Sequence, residues 1–170
     1  TLVDQPYVLG GESRFNAARD LLDEYVSQTG YGETNLFARD FARQSGNGVI
    51  NSRAYDAALE SSTPITTTFP ATSIGSQLRS VANTINIQGQ LDSNRQVFYV
   101  FMGGFDTHSG QTNTLPGLQT ALSEAISAFR TAMITQGAWD DVTLFTMSEF
   151  GRTTIDNGDG TDHGWEIGRA

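Results

Sequence analysis

Cysteine is absent from the chain, and so is lysine. Without cysteine there are no disulfides, thiolate metal sites or cysteine nucleophiles, and the redox compartment is left open. Without lysine, ten arginines stand against nineteen acidic residues, for a formal charge of −9. No basic stripe is then available for a phosphate backbone, which argues against a nucleic-acid partner. A Gly-Lys-Ser/Thr phosphate loop is impossible, although Gly103-Gly104 would otherwise invite the comparison. No apolar run approaches the ~20 residues needed to span a bilayer. The first residues, Thr1-Leu-Val-Asp-Gln-Pro6, lack an initiator methionine and the apolar centre of a signal peptide. The chain is therefore expected to start inside a longer polypeptide and to be continued by more chain beyond Ala170.

What is present bounds one core: 170 residues with 38% hydrophobic content suit a single domain or part of one. Residues 14–28 carry Phe15, Ala18, Leu21, Leu22, Tyr25 and Val26 at helical spacing, with Gly30 as a stop. Two shorter helices are expected at 34–44 and 49–60, separated by Ser45-Gly-Asn-Gly48. An extended, proline- and threonine-rich connection follows, then a helix capped at Ser73 and carrying Ile74, Leu78, Val81, Ala82 and Ile85. Residues 1–72 thus form a mostly helical segment, and residues 73–170 an α/β portion.

Two apolar runs dominate that second portion, 96–102 and 142–147, with an amphipathic helix between them that starts at Thr114 and Pro116. The pattern β-loop-α-β implies two parallel strands joined by a crossover helix, hence an α/β fold with a parallel sheet flanked by helices. Each run releases polar groups at its C-terminal end: Gly103-Gly-Phe-Asp-Thr-His108 after the first, Ser148-Glu-Phe-Gly-Arg152 after the second. A glycine-rich turn, Asn157-Gly-Asp-Gly-Thr-Asp-His163, adds a further acid and the second of only two histidines.

Asp106, His108, Glu149, Asp162 and His163 are therefore expected at one sheet rim, where open α/β sheets bind ligands. Three carboxylates placed together need a compensating cation, and oxygen and imidazole donors without sulfur suit zinc or manganese, with calcium or magnesium as alternatives. Plainer readings exist for each residue. Asp106 can cap its loop, His108 can bond backbone, and Glu149 can pair with Arg152. A calcium loop from Asn157 fails, since its sixth position is Asp162 and its twelfth Gly168. Neither Ser109 nor Ser148 lies in a Gly-x-Ser-x-Gly elbow, which weakens a serine triad.

Arg95-Gln-Val-Phe98, Gly103-Gly-Phe-Asp-Thr-His108, Ser148-Glu-Phe-Gly-Arg-Thr153, Asn157-Gly158 and Gly160-Thr-Asp-His-Gly-Trp165 together resemble the bacterial domain of unknown function 1501 family. Weaker similarity runs upstream through Phe69–Arg79. The resemblance implies a longer protein of the alkaline-phosphatase and sulfatase superfamily, with this chain its C-terminal part, metal ligands at the ends of a parallel sheet, and export to the periplasm, cell surface or medium. The chain departs from that superfamily in three ways. Glu149-Phe150 stands where an Asp-His pair is usual, Asp106-x-His108 is shorter than Asp-x-x-x-His, and the serine or threonine nucleophile has no counterpart.

The expectation is an exported, metal-dependent hydrolase of phosphate or sulfate esters, with Arg152 meeting the anionic ester. Its partners are that substrate and whatever covers the sheet edge, either the rest of the polypeptide or another chain. The alternative is a non-catalytic surface or secretion-associated protein with a degenerate metal site. A carbohydrate- or matrix-binding module is a third reading, suggested by Trp139, Trp165 and the tyrosines without a patterned aromatic platform.

Overall fold

The computed structural model describes Glu24 and residues 34–91 and 95–164. They fall into two compact units, one made of residues 64–86 with 96–164, the other including 34–63 and 87–91. The helix expected at 14–28 lies outside the described residues, apart from Glu24, which is helical.

In the second of these units, helix α1 (Leu36–Ser61) is one uninterrupted element, where two helices were expected. Asn35 caps it by accepting from the backbone N–H groups of Phe37 and Ala38 at 2.9 and 3.2 Å. Gly46 and Gly48 do not break the helix because neither adopts a positive φ. A glycine inside a helix costs only about 1 kcal/mol relative to alanine, and ending and renucleating the helix costs more.

In the first unit, helix α2 (Ser73–Asn86) lays Ile74, Leu78 and Ala82 against Ala125, Phe129, Ala132 and Met133 of helix α3 (Gln111–Gln136). The cap is made by Thr72, whose hydroxyl oxygen accepts from the Gly75 N–H at 3.2 Å, one residue before the expected Ser73. Gly75 is required there, since a Cβ would meet the Pro70 carbonyl oxygen at 2.2 Å. Helix α3 begins a turn before Thr114 and ends at Gly137, whose φ of 70° lets its N–H reach the Ile134 carbonyl.

The expected parallel sheet flanked by helices is not formed. The described chain is mostly helical, and its one sheet is a two-stranded antiparallel pair, β1 (Arg152–Asp156) with β2 (Thr161–His163). Residues 96–102 and 142–147 form no strand and join no ladder, and the helix between them packs on α2 rather than on a sheet. Alternation explains why the runs misled. Val100 and Met102 lean on the helical core, while Val97 and Tyr99 face outward with 99% and 81% of their surface exposed. Covering one face by helices satisfies half the apolar run without any neighbouring strand. The Phe101 backbone, moreover, is paired by a side chain: the Gln77 amide donates to its carbonyl and accepts from its N–H, both at 2.8 Å. The real hairpin lies in the polar turn, where Asn157-Gly158 supplies the left-handed φ, 98° at Gly158, that tight hairpins require.

Candidate metal centre

Three short segments of one unit build the site: residues 103–110, the start of β1, and the β1–β2 turn together with β2. Gly104 has a φ of 95° and sits against Leu118 of α3, which turns the chain out of the extended run. The Thr107 N–H then closes onto the Phe105 carbonyl at 2.9 Å. The turn leaves the Asp106 and His108 side chains 3.0 Å apart, while Thr107 between them is buried.

The hairpin is docked onto this loop by backbone contacts. Gly160 approaches so closely that a Cβ would lie 2.6 Å from the His108 carbonyl oxygen and 2.9 Å from that of Thr107. The Gln111 N–H at the start of α3 donates to the Asp159 carbonyl at 3.1 Å, and the Thr161 hydroxyl donates to the Gln111 side-chain oxygen at 3.0 Å.

The result is convergence on one atom. Asp106 Oδ1 lies 2.8 Å from His163 Nε2, 3.0 Å from His108 Nε2 and 3.3 Å from an Arg152 guanidinium nitrogen. One ligand atom from each of Asp106, His108 and His163 fits within 4.8 Å of the others. An ion with ligand bonds of ~2.0–2.2 Å keeps its tetrahedral ligand atoms ~3.3 Å apart, so the three groups are close to a coordinating arrangement before any ion is considered. Two imidazoles and one carboxylate form a donor set that suits zinc, manganese or iron and leaves coordination positions open.

Of the five expected ligands, the structure therefore gathers three. Asp162 lies behind the centre, its Oδ1 3.0 Å from His108 Nδ1, on the ring edge opposite the Nε2 that faces Asp106. A carboxylate on the outer nitrogen of a metal-binding histidine fixes its tautomer and orientation. Glu149 is exposed and outside the cluster. Its neighbour Phe150 faces the centre instead, stacked on the His163 ring at 4.3 Å and 19°.

Arg152, expected to reach an anionic substrate, is turned inward. It donates to the carbonyls of Thr161 and Phe105 as well as to Asp106, and its carbon lies 4.8 Å from the centroid of the Phe150 ring. It ties β1, β2 and the Asp106 loop together. The Ser148 hydroxyl donates to the Phe150 carbonyl at 2.7 Å rather than to a histidine. Sequence spacing could not show the roles of Phe150 and Asn157. The second entered only as the start of the glycine-rich turn and as part of one family-like motif.

Electrostatics follows the geometry. The hydrogen bond from His163, assisted by the charges of His108, His163 and Arg152, holds the Asp106 carboxyl below its usual range. The hydrogen bond from His108, with a further one from Asn157, does the same for Asp162. Both carboxylates are thus kept ionised, the state that metal binding requires.

Comparison with known proteins gives one match. The family model described as protein of unknown function (DUF1501) covers residues 10–167. No curated protein and no solved structure matches the chain.

Proposed function

The chain belongs to the DUF1501 family, and we propose that its site binds one divalent ion through Asp106, His108 and His163 and serves an exported, metal-dependent hydrolase of phosphate or sulfate esters. The observation that carries the reading is the meeting of two imidazole Nε2 atoms at a single carboxylate oxygen, at 2.8 and 3.0 Å. An ion held there would supply Lewis-acid polarisation of an ester oxygen and an activated water. This chain's own contribution is to hold the three donors, with Arg152 bracing Asp106, Phe150 bracing His163 and Asp162 bracing His108. The ester class, the export and the placement in the alkaline-phosphatase and sulfatase superfamily rest on the resemblance of the motifs.

Two observations favour a second reading, a non-catalytic protein whose metal site is structural. Arg152 is spent on backbone carbonyls, and an apolar ring, Phe150, is stacked on His163 beside the centre.

Metal analysis after chelator treatment and reloading with zinc or manganese tests the centre. About one ion per chain is expected, lost in His163→Ala and retained in Asp159→Ala, because Asp159 meets the network through its backbone alone. Equal metal content in the wild type and His163→Ala would sink the metal reading. Metal-dependent turnover of aryl phosphate or aryl sulfate by the loaded chain favours the hydrolase, and none at full loading the structural site.

A further inference from the structure

A histidine can ligate through either ring nitrogen, and the hydrogen bond made by the other nitrogen decides which. At His108 that partner is Asp162. Yet the Asp162 side chain is 60% exposed, and an exposed carboxylate on a three-residue strand can turn to water. Something must hold it. Asn157 Nδ2 lies 3.3 Å from the same Asp162 oxygen and donates to the His108 carbonyl at 3.0 Å. One amide nitrogen therefore grips the backbone of His108 and the carboxylate on its ring.

Asn157 is itself immobilised. Its side-chain oxygen accepts from the N–H groups of Gly160 at 2.8 Å and Asp159 at 3.3 Å, and its own N–H donates to the Gly160 carbonyl at 3.0 Å. A carboxamide has two donors and an oxygen with two lone pairs, and all four are used. The network also fixes which way the amide points. Reversed, it would set its oxygen against two acceptors and its nitrogen against two donors.

We propose that Asn157 is the positioning residue of His108: by pinning Asp162 to Nδ1 it favours the Nδ1–H tautomer against the competing pull of Asp106 on Nε2 and leaves Nε2 aimed at Asp106 and His163, and so, on the metal reading above, at the ion. The turn and the positioning are separable by chemistry. Asn157→Asp keeps an oxygen for the Gly160 and Asp159 N–H groups, so the hairpin is retained, but it replaces the donor facing Asp162 and the His108 carbonyl with an acceptor.

The test uses the full chain in three forms: wild type, Asn157→Asp and Asp162→Ala. In metal-free protein at alkaline pH, Asp106 at Nε2 competes with Asp162 for the single ring proton, each at 3.0 Å, so nitrogen-15 imidazole spectra should show a larger Nδ1–H fraction of His108 in the wild type than in either variant. Zinc affinity, measured by competition with a chromophoric chelator, should fall ~10–100-fold in both, the range seen when a partner behind a metal ligand is lost. An Asn157→Asp protein that keeps both the tautomer and the affinity within about twofold of wild type overturns the proposal. Should Asn157→Asp not fold, Asn157→Ala takes its place and decides by the same two readouts. If the wild type takes up no zinc, the metal reading fails by itself, and the tautomer measurement still decides whether Asn157 positions His108.

Discussion

At Asp106 one carboxylate oxygen receives three nitrogen neighbours, and that crowding has a pH signature. Asp106 and Asp162 titrate below their ordinary value of 3.8 when folded. A depressed carboxylate contributes stability that is fully present above its unfolded value and is lost as pH falls through the lower folded one. The metal-free chain should therefore lose melting temperature as pH drops below about 4, and Asp106→Asn/Asp162→Asn should flatten that part of the profile. Both groups are solvent-exposed, so the difference will be modest. A double variant that follows the wild type point for point would show that these contacts do not stabilise the fold. Much of this site was legible in the sequence. The sequence put Asp106, His108 and His163 in one neighbourhood, but the tight turn expected around Asp162-His163 lies at residues 157–160, and both residues sit in β2. Glu149 was misplaced because the chain bends at 149–150, after the apolar run has ended, and the residue that faces the centre is Phe150. The side of the imidazole on which Asp162 falls depends on a ring rotation that no spacing encodes.

Among the elements, the α2–α3 pair was the most readable, because its apolar stripe repeats at helical spacing and ends on residues whose burial is nearly complete. Phe129 is 2% exposed within that stripe, whereas Ile134, five residues on, is 48% exposed. Phe129→Ala should destabilise the chain by ~3–5 kcal/mol through lost burial and a residual cavity, and Ile134→Ala by less than about 0.5 kcal/mol. Urea unfolding compares the two directly, and similar midpoints for both variants would contradict the packing described. Elements defined by exception were the unreadable ones. Gly46 and Gly48 look like a break but sit in an ordinary helix. The strands that form, Arg152–Asp156 and Thr161–His163, have no apolar alternation and depend on the turn at Asn157-Gly158 and on docking through Gly160. Their stability comes from neighbours rather than from their own composition.

For the molecule as a whole, the apolar runs that suggested a sheet become exposed surface. Val97, Tyr99, Phe101, Phe145 and Met147 are between 54% and 99% exposed, and residues 96–102 and 142–147 contain no charged side chain. Uncharged apolar segments outside any ladder readily recruit a pairing strand. Net charge opposes that, since −9 on 170 residues makes copies repel over a range set by the Debye length, ~10 Å at 0.1 M salt and ~3 Å at 1 M. Apolar contact acts only at touching distance and is not screened, so added salt shifts the balance towards association. The isolated chain should therefore bind a hydrophobic dye, associate as its concentration rises, and do so more readily at high salt. Val97→Lys with Phe145→Lys should weaken all three effects without unfolding the α2–α3 core, because both positions lie outside it. Sedimentation velocity at low and high salt provides the check. A wild-type chain that stays monomeric and binds no dye in either condition would mean that this surface is covered in solution by residues of its own.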